Sequence, residues 1–359
     1  MDDSSESEAG TFPQLLRIRR EKDGAMPAMR EKAFGIWQTW SLDEFCDEAF
    51  FLASGLMHLG MSRGDTLVII GDNRPRLYAS MLAAQSIGGI PVPAYQDSIA
   101  KEIEYVVDHA EARFIVAENQ EQVDKALEIR EQCPRVEKII YCDPKGLRKY
   151  DPNVVIDMRD IVELGHELLQ SDPDRVNIEI DQGLSSDAAV ILYTSGTTGR
   201  PKGVVLSNDN LLITARNTSA FDTVTADEEV LAYLPMAWVG DNAFSFAMGL
   251  VVGFCVNCPE NASTVAQDLR EIGPTYYFAP PRVFENVLTS VMIRMKDAGR
   301  FKRALFTHFM KVAKKSGARL LDDQKVSLID RLNYQIGELL IYGPIKNSLG
   351  LSRVRVAYT

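Results

Sequence analysis

Short apolar runs, each separated from the next by a stretch with helical spacing, set the tightest limit on what this chain can fold into. Residues 66–70, 90–92, 114–117 and 138–141 read as strands, and residues 77–87, 101–109 and 121–132 between them read as helices. Strands that are apolar throughout bury both faces, so they belong to a parallel sheet covered by helices. The fold class is therefore α/β. A further helix is expected from Ser41, where Ser41-Leu-Asp-Glu44 has capping-box spacing and Phe45, Ala49, Ala53 and Leu56 follow at helical intervals.

A polar stretch over residues 171–187 precedes a second alternation, with strands at 188–193, 230–234, 255–258 and 275–278, before residues 281–343 turn almost wholly helical. Three regions follow: an acidic, partly disordered extension over 1–40, a first α/β half over 41–183, and a second over 184–359. The first dozen residues are acidic and serine-rich, the composition of a disordered segment, and the opening Met1-Asp-Asp-Ser-Ser-Glu-Ser-Glu8 is the opposite of a basic signal peptide. The last apolar segment, 354–358, reads as a core strand at the chain end, so a truncated domain is expected.

With 46% hydrophobic and 25% charged residues the 359-residue chain has the composition of a soluble protein, and its net charge of −11 argues against nucleic acid as a partner. The longest apolar run, near residues 244–256, is broken by glycines and falls short of the ~20 residues that span a bilayer. Five scattered cysteines read as reduced thiols, which with the missing signal points to the cytoplasm. Cys255 and Cys258 form a CxxC, but no second pair or nearby histidine completes a zinc site, so a buried strand is the expectation and no metal ligand is assigned. The histidines His58, His109, His166 and His308 show no metal spacing, and no Gly-x-Ser-x-Gly elbow accompanies them, which disfavours a hydrolase.

The chemistry concentrates in Tyr193-Thr-Ser-Gly-Thr-Thr-Gly-Arg-Pro-Lys-Gly203. Gly196, Gly199 and Gly203 let backbone approach a ligand closely, Thr194, Ser195, Thr197 and Thr198 add hydroxyls, and Lys202 adds a charge. Successive N–H groups in such a loop form an anion nest suited to a triphosphate. A P-loop would need its lysine to open directly into a helix. Here Lys202 lies between Pro201 and Gly203, and a return strand over 204–206 follows.

This loop resembles the phosphate-binding signature of the adenylate-forming enzymes, and residues 37–359 resemble the bacterial long-chain acyl-CoA synthetases. Gly71-Asp-Asn-Arg-Pro75, Gly88-Gly-Ile-Pro-Val-Pro93, Ser207-Asn-Asp-Asn-Leu211, Leu234-Pro-Met-Ala237 and Pro281-Arg-Val-Phe-Glu285 carry the likeness. It implies the helix-covered, mostly parallel sheets of that family's N-terminal domain, incomplete at the C-terminus. It implies that Thr194, Ser195, Gly196, Thr197, Thr198, Gly199 and Lys202 hold the β- and γ-phosphates of ATP, with Mg²⁺ and CoA as further participants. A fatty carboxylate would attack the α-phosphorus, releasing pyrophosphate, and the CoA thiol would then displace AMP. Such chemistry asks for charge dispersal and close positioning rather than a covalent enzyme intermediate.

The chain departs from that family at several points. Trp238 stands where relatives carry histidine, and Asp241 where they carry glutamate. Both are assigned to the acyl-substrate region, with Trp238 as an apolar lid; a core tryptophan beneath the sheet is the plain alternative. Asn208 also replaces a histidine, and Ser207 or Asn208 is expected simply to cap the next helix. The Tyr-Gly-x-Thr-Glu segment, the ribose-binding aspartate and the adenylation lysine of the family are not found, so no catalytic residue is assigned. Two rival readings stay open: a fatty acyl-AMP ligase that loads a carrier protein, and a non-catalytic nucleotide- or lipid-binding protein.

One stretch breaks the acidic character. Arg294, Lys296, Arg300, Lys302, Arg303, Lys311, Lys314, Lys315 and Arg319 are interleaved with Phe301, Leu305, Phe309 and Val312 near helical spacing. Residues 294–319 thus present either a solvated charged face or a peripheral contact with the inner face of a membrane.

Overall fold

The computed structural model describes residues 9–194, 200–322 and 324–359, and among these the chain divides into two units, Met1–Ala262 and Ser263–Thr359. Of the first dozen residues, expected to be disordered, positions 1–8 lie outside the described residues, whereas Ala9 is buried and Thr11 caps the helix that begins at Phe12.

In the first unit, helix α1 (Phe12–Asp23) leads into a hairpin of β1 (Pro27–Ala33) and β2 (Ile36–Ser41) and then into α2 (Leu42–His58). Next come β3 (Thr66–Ile70), α3 (Pro75–Ser86), β4 (Ile90–Ala94), α4 (Ala100–His109), β5 (Phe114–Ala117), α5 (Gln120–Glu128), β6 (Lys138–Tyr141) and β7 (Val155–Asp157). Strands β3 to β7 form one five-stranded parallel sheet in the order β4-β3-β5-β6-β7. Its central strands β3 and β5 are buried at every position, which is why they read as unbroken apolar runs. The Ser41 capping box is present: Glu44 N–H donates to Ser41 Oγ at 3.2 Å, and the Glu44 carboxylate accepts from Ser41 N–H at 2.8 Å.

The N-terminal region differs from the extension expected over 1–40. Phe12, Leu15 and Leu16 of α1 are buried, and β1 is an inner strand of a second sheet. That sheet has the order β10-β11-β1-β2, where β10 is Glu229–Leu231 and β11 is Cys255–Cys258. Strand β1 pairs in parallel with β11, Met29 opposite Val256, and antiparallel with β2. Backbone groups on β1 therefore find their partners more than two hundred positions along the chain. The same pairing explains why the contacts divide at 262/263 and not at 183/184.

Helices α2 and α6 (Met158–Ser171) cross at two small residues, Gly55 and Gly165. A Cβ on Gly165 would overlap the carbonyl oxygen of Phe51, and one on Gly55 would overlap the carbonyl oxygen of Ile161. Close backbone approach is what holds this pair together. After helix α7 (Arg175–Asp181), strands β8 (Ala188–Thr194) and β9 (Lys202–Ser207) form an antiparallel hairpin that leads into α8 (Asn208–Asp222).

In the second unit, β12 (Tyr276–Phe278) pairs in parallel with β13 (Val356–Tyr358). Between them run helices Pro281–Lys296, Arg300–Val312 and Leu328–Gly337, with π-helical turns at Ala313–Gly317 and Glu338–Tyr342. These helices share a small core of Phe306, Phe309 and Ile341, so the helical expectation for 281–343 holds.

Replacing Gly165 with alanine should test the helix crossing. In an open helix the change stabilises by about 0.5–1 kcal/mol. Here the overlap should reverse the sign, costing about 1–3 kcal/mol, read as a lower melting temperature in thermal denaturation. An unchanged or raised melting temperature would remove the close-packing account.

Candidate phosphate-binding site

The site begins with the β8–β9 hairpin, whose last paired positions are Thr194 and Lys202. Both are exposed, and Lys202 makes no ion pair with any described residue. Ser195, Gly196, Thr197, Thr198 and Gly199 lie outside the described residues. On the described flanks, Thr194 and Lys202 stand opposite each other in an extended hairpin, a hydroxyl beside an ammonium, which is what anion binding needs.

Helix α4 braces that hairpin. Tyr105 Oη donates to Pro201 O at 3.0 Å, and His109 Nδ1 lies 2.7 Å from Tyr193 Oη. Tyr193 meets the rings of both Tyr105 and His109 edge-on. Burial pushes the Tyr193 phenol up to about 12, so it stays protonated as a hydrogen-bonding group. The first sheet's own helix thus anchors both arms of the loop.

A second constellation joins the Gly71–Pro75 segment to the segment that follows Leu234. The Asp241 carboxylate is buried and accepts from Tyr78 Oη at 2.7 Å and from Asn73 Nδ2 at 3.0 Å. Burial pushes its pKa up to about 7, against the opposing pull of hydrogen bonds from Tyr78, Ser245 and Asn73. Nearby, Arg74 donates to Glu118 at 2.9 Å and to the carbonyls of Pro259 and Glu260 at 2.6 and 2.7 Å. Trp238 is half-buried, and its indole lies over Gly240, where a Cβ would overlap the ring.

The model of the family described as "AMP-binding enzyme" matches residues 18–345. The chain belongs to the AMP-binding enzymes. Among curated relatives, the rat long-chain-fatty-acid–CoA ligase ACSBG2 is 27% identical over 357 residues, covering 97% of this chain and 52% of that protein. Rat ACSBG1, also a long-chain-fatty-acid–CoA ligase, is 27% identical over 351 residues, covering 96% and 47%. The chain spans about half the length of the curated relatives it matches. Among solved structures, a protein assigned as a long-chain-fatty-acid CoA ligase from Rhodopseudomonas palustris aligns with a TM-score of 0.62 at 20% identity, covering 78% of this chain and 65% of that one. The anthranilate CoA ligase AuaEII, in complex with anthranoyl-AMP, aligns with a TM-score of 0.62 at 18% identity, covering 75% and 48%. At such identities the structural likeness shows the fold alone, which is the α/β fold of adenylate-forming ligases.

Within this AMP-binding chain, Thr194 and Lys202 come together, whereas Trp238 and Asp241 belong to a different region of the same unit. Asp241 serves as the centre of a buried hydrogen-bond knot. An apolar cavity of about 40 Å³, lined by Met29, Phe45, Phe246, Leu250 and Phe254 among others, includes neither Trp238 nor Asp241. The capping question at 207/208 resolves cleanly. Ser207 Oγ accepts from Asn210 N–H at 3.2 Å, while Asn208 turns inward, accepting from Phe12 N–H at 3.2 Å and donating to Asp187 O at 3.2 Å.

Cys255 and Cys258 occupy the fully buried strand β11. Three residues apart on a strand, their side chains leave on opposite faces and cannot share a ligand. Burial also pushes the Cys255 thiol up to about 12 and Cys258 well above its ordinary value. Reading the sequence alone left Asn73, Arg74, Tyr78 and the Tyr105–His109 brace without roles. The Gly71–Pro75 motif contained the first two, but only their distant partners reveal what they do.

Asp241 predicts a pH signature. Its folded-state pKa near 7 lies above the ordinary carboxylate value, so the folded protein holds the proton more tightly than the unfolded chain. Stability from this group is present below about pH 4 and is lost as pH rises toward 7. In denaturant melts, Asp241→Asn should therefore gain on the wild type across that window. A stability gap that does not change with pH would mean that Asp241 is ionised throughout.

Proposed function

We propose that the protein activates a long-chain fatty acid with ATP, forming the acyl-adenylate and then acyl-CoA. The observation that carries this reading is the hairpin, braced by α4, that holds Thr194 beside Lys202, which pairs with no described residue, at the ends of a sequence rich in hydroxyls and glycines. Membership of the AMP-binding enzymes supports ATP as the nucleotide, and the names of the curated relatives support a long-chain acyl substrate and CoA as acceptor.

The described residues fit the phosphate end of ATP. Thr194 offers a neutral donor and Lys202 a charge, a combination that disperses phosphoryl charge as a carboxylate approaches. In the first step a carboxylate oxygen bonds to the α-phosphorus while the bond to pyrophosphate breaks. In the second, the CoA sulfur bonds to the acyl carbon, AMP leaves with the bonding pair, and the thiol proton is lost. Among the described residues no three histidine, cysteine, aspartate or glutamate side chains gather to hold a metal ion.

Trp238 extends the proposal to the acyl chain. Its half-buried indole rests on Gly240, an arrangement that lets the ring act as an apolar lid. The alternatives are a fatty acyl-AMP ligase and a nucleotide-binding protein without turnover.

Four measurements test these readings. Calorimetric titration with ATP should show binding that weakens on the order of 10²-fold in Lys202→Ala, the scale of losing one charge-stabilising group. Unchanged affinity would sink the loop assignment. Fatty-acid-dependent pyrophosphate release distinguishes turnover from binding alone, and a free acyl-CoA product distinguishes the CoA ligase from the acyl-AMP ligase. Replacing Trp238 with alanine should change which chain lengths bind; a variant that differs only in melting temperature would instead mark a core tryptophan.

A further inference from the structure

The second unit exposes two helix faces of complementary character. On the helix Arg300–Val312 and the turn that continues it, Phe306 and Phe309 point into the small core. Arg300, Arg303, Lys311 and Lys314 lie on the opposite side by helical spacing, and all four are exposed. No described residue forms an ion pair with any of them. Asp297 is the single acid between Arg294 and Arg319, in a chain whose net charge is −11.

The helix Leu328–Gly337 is turned the other way from an ordinary solvated helix. Tyr334 packs against Tyr342 with ring centroids 5.2 Å apart and the rings tilted, and Gly337 is buried, so those positions face inward. An apolar row faces outward beside the exposed Arg331 and Gln335: Leu328 is 85% exposed, Leu332 58% and Ile336 39%, at successive intervals of four. Leu339 and Phe301 are exposed as well, at 76% and 82%. A Lys315–Asp330 ion pair at 3.0 Å joins the two helices, which places both faces in one small body.

Solvent alone accounts for a basic face but not for an outward row of Leu328, Leu332 and Ile336. The geometry points to an anionic lipid surface as the occupant of this helical unit. Basic side chains meet lipid phosphates, and the apolar row enters the boundary between headgroup and acyl chains. No helix among the described residues is long and apolar enough to cross a membrane, so the contact is with the surface. Charge complementarity selects lipid over a second copy, since two equally basic faces repel.

Co-sedimentation of the whole chain with vesicles tests this, comparing phosphatidylcholine alone with mixtures containing phosphatidylglycerol. Binding should require the anionic lipid and fall as sodium chloride is raised. Lys311→Ala combined with Lys314→Ala should weaken it about 25-fold, each basic residue near such a surface contributing about fivefold. Leu332→Ser should weaken it while leaving the helical circular dichroism unchanged. Binding that ignores anionic lipid and salt, or no binding at all, overturns the inference. So does a lipid-free dimer in light scattering that Leu332→Ser dissolves, because the apolar row would then be covered by a second copy. The assay contains neither nucleotide nor fatty acid, so its failure leaves the ligase proposal standing.

Discussion

The guanidinium of Arg74 holds together parts of the first unit that no continuous element connects. It leaves the end of the five-stranded sheet at the start of α3, pairs with Glu118 beyond β5, and donates to the carbonyls of Pro259 and Glu260 just after β11. One planar fork thus satisfies an acid from one sheet and two backbone acceptors from the other. Losing one partner of such a buried pair costs about 3–5 kcal/mol, because the remaining charge is left without compensation. The neighbouring Asn73 reaches Asp241 and Tyr78, so two adjacent residues of one motif clamp the same seam.

The phosphate hairpin is built on that framework. Antiparallel pairing carries Thr194 and Lys202 outward together, and α4 steadies both arms through Pro201 and Tyr193. Between those positions the sequence carries glycines and small hydroxyl residues, which suit the close backbone approach to phosphate proposed for this segment. The chemistry proposed for it asks for little more than neutral donors and one positive charge held at a fixed distance.

Much of the parallel sheet was legible in consecutive residues. Strands β3, β5 and β6 are short and apolar because they are covered on both faces, and the Ser41 cap announces its helix through spacing alone. The N-terminal hairpin was not legible. β1 carries Arg30, Glu31 and Lys32, and β2 is mostly exposed, so neither shows the apolar signature of a strand. Arg30 becomes acceptable in a sheet by pairing with Glu229 at 3.0 Å, a residue far away in sequence. Pairing of β1 with β11 likewise ties the two ends of the first unit together, a link that no neighbouring residues announce.

What the sequence determined by itself is local: helix starts, buried strands, and the order of glycine, hydroxyl and lysine in the phosphate loop. These depend on neighbouring residues along the chain, whose spacing already encodes the geometry. Only the tertiary structure decided the character of Asp241. The sequence marks it as an acid close to Trp238, but the protonation of a carboxyl depends on what surrounds it. Here Tyr78 and Asn73, brought in from the other sheet, supply hydrogen bonds, while the packing around them excludes water and lifts the pKa to about 7.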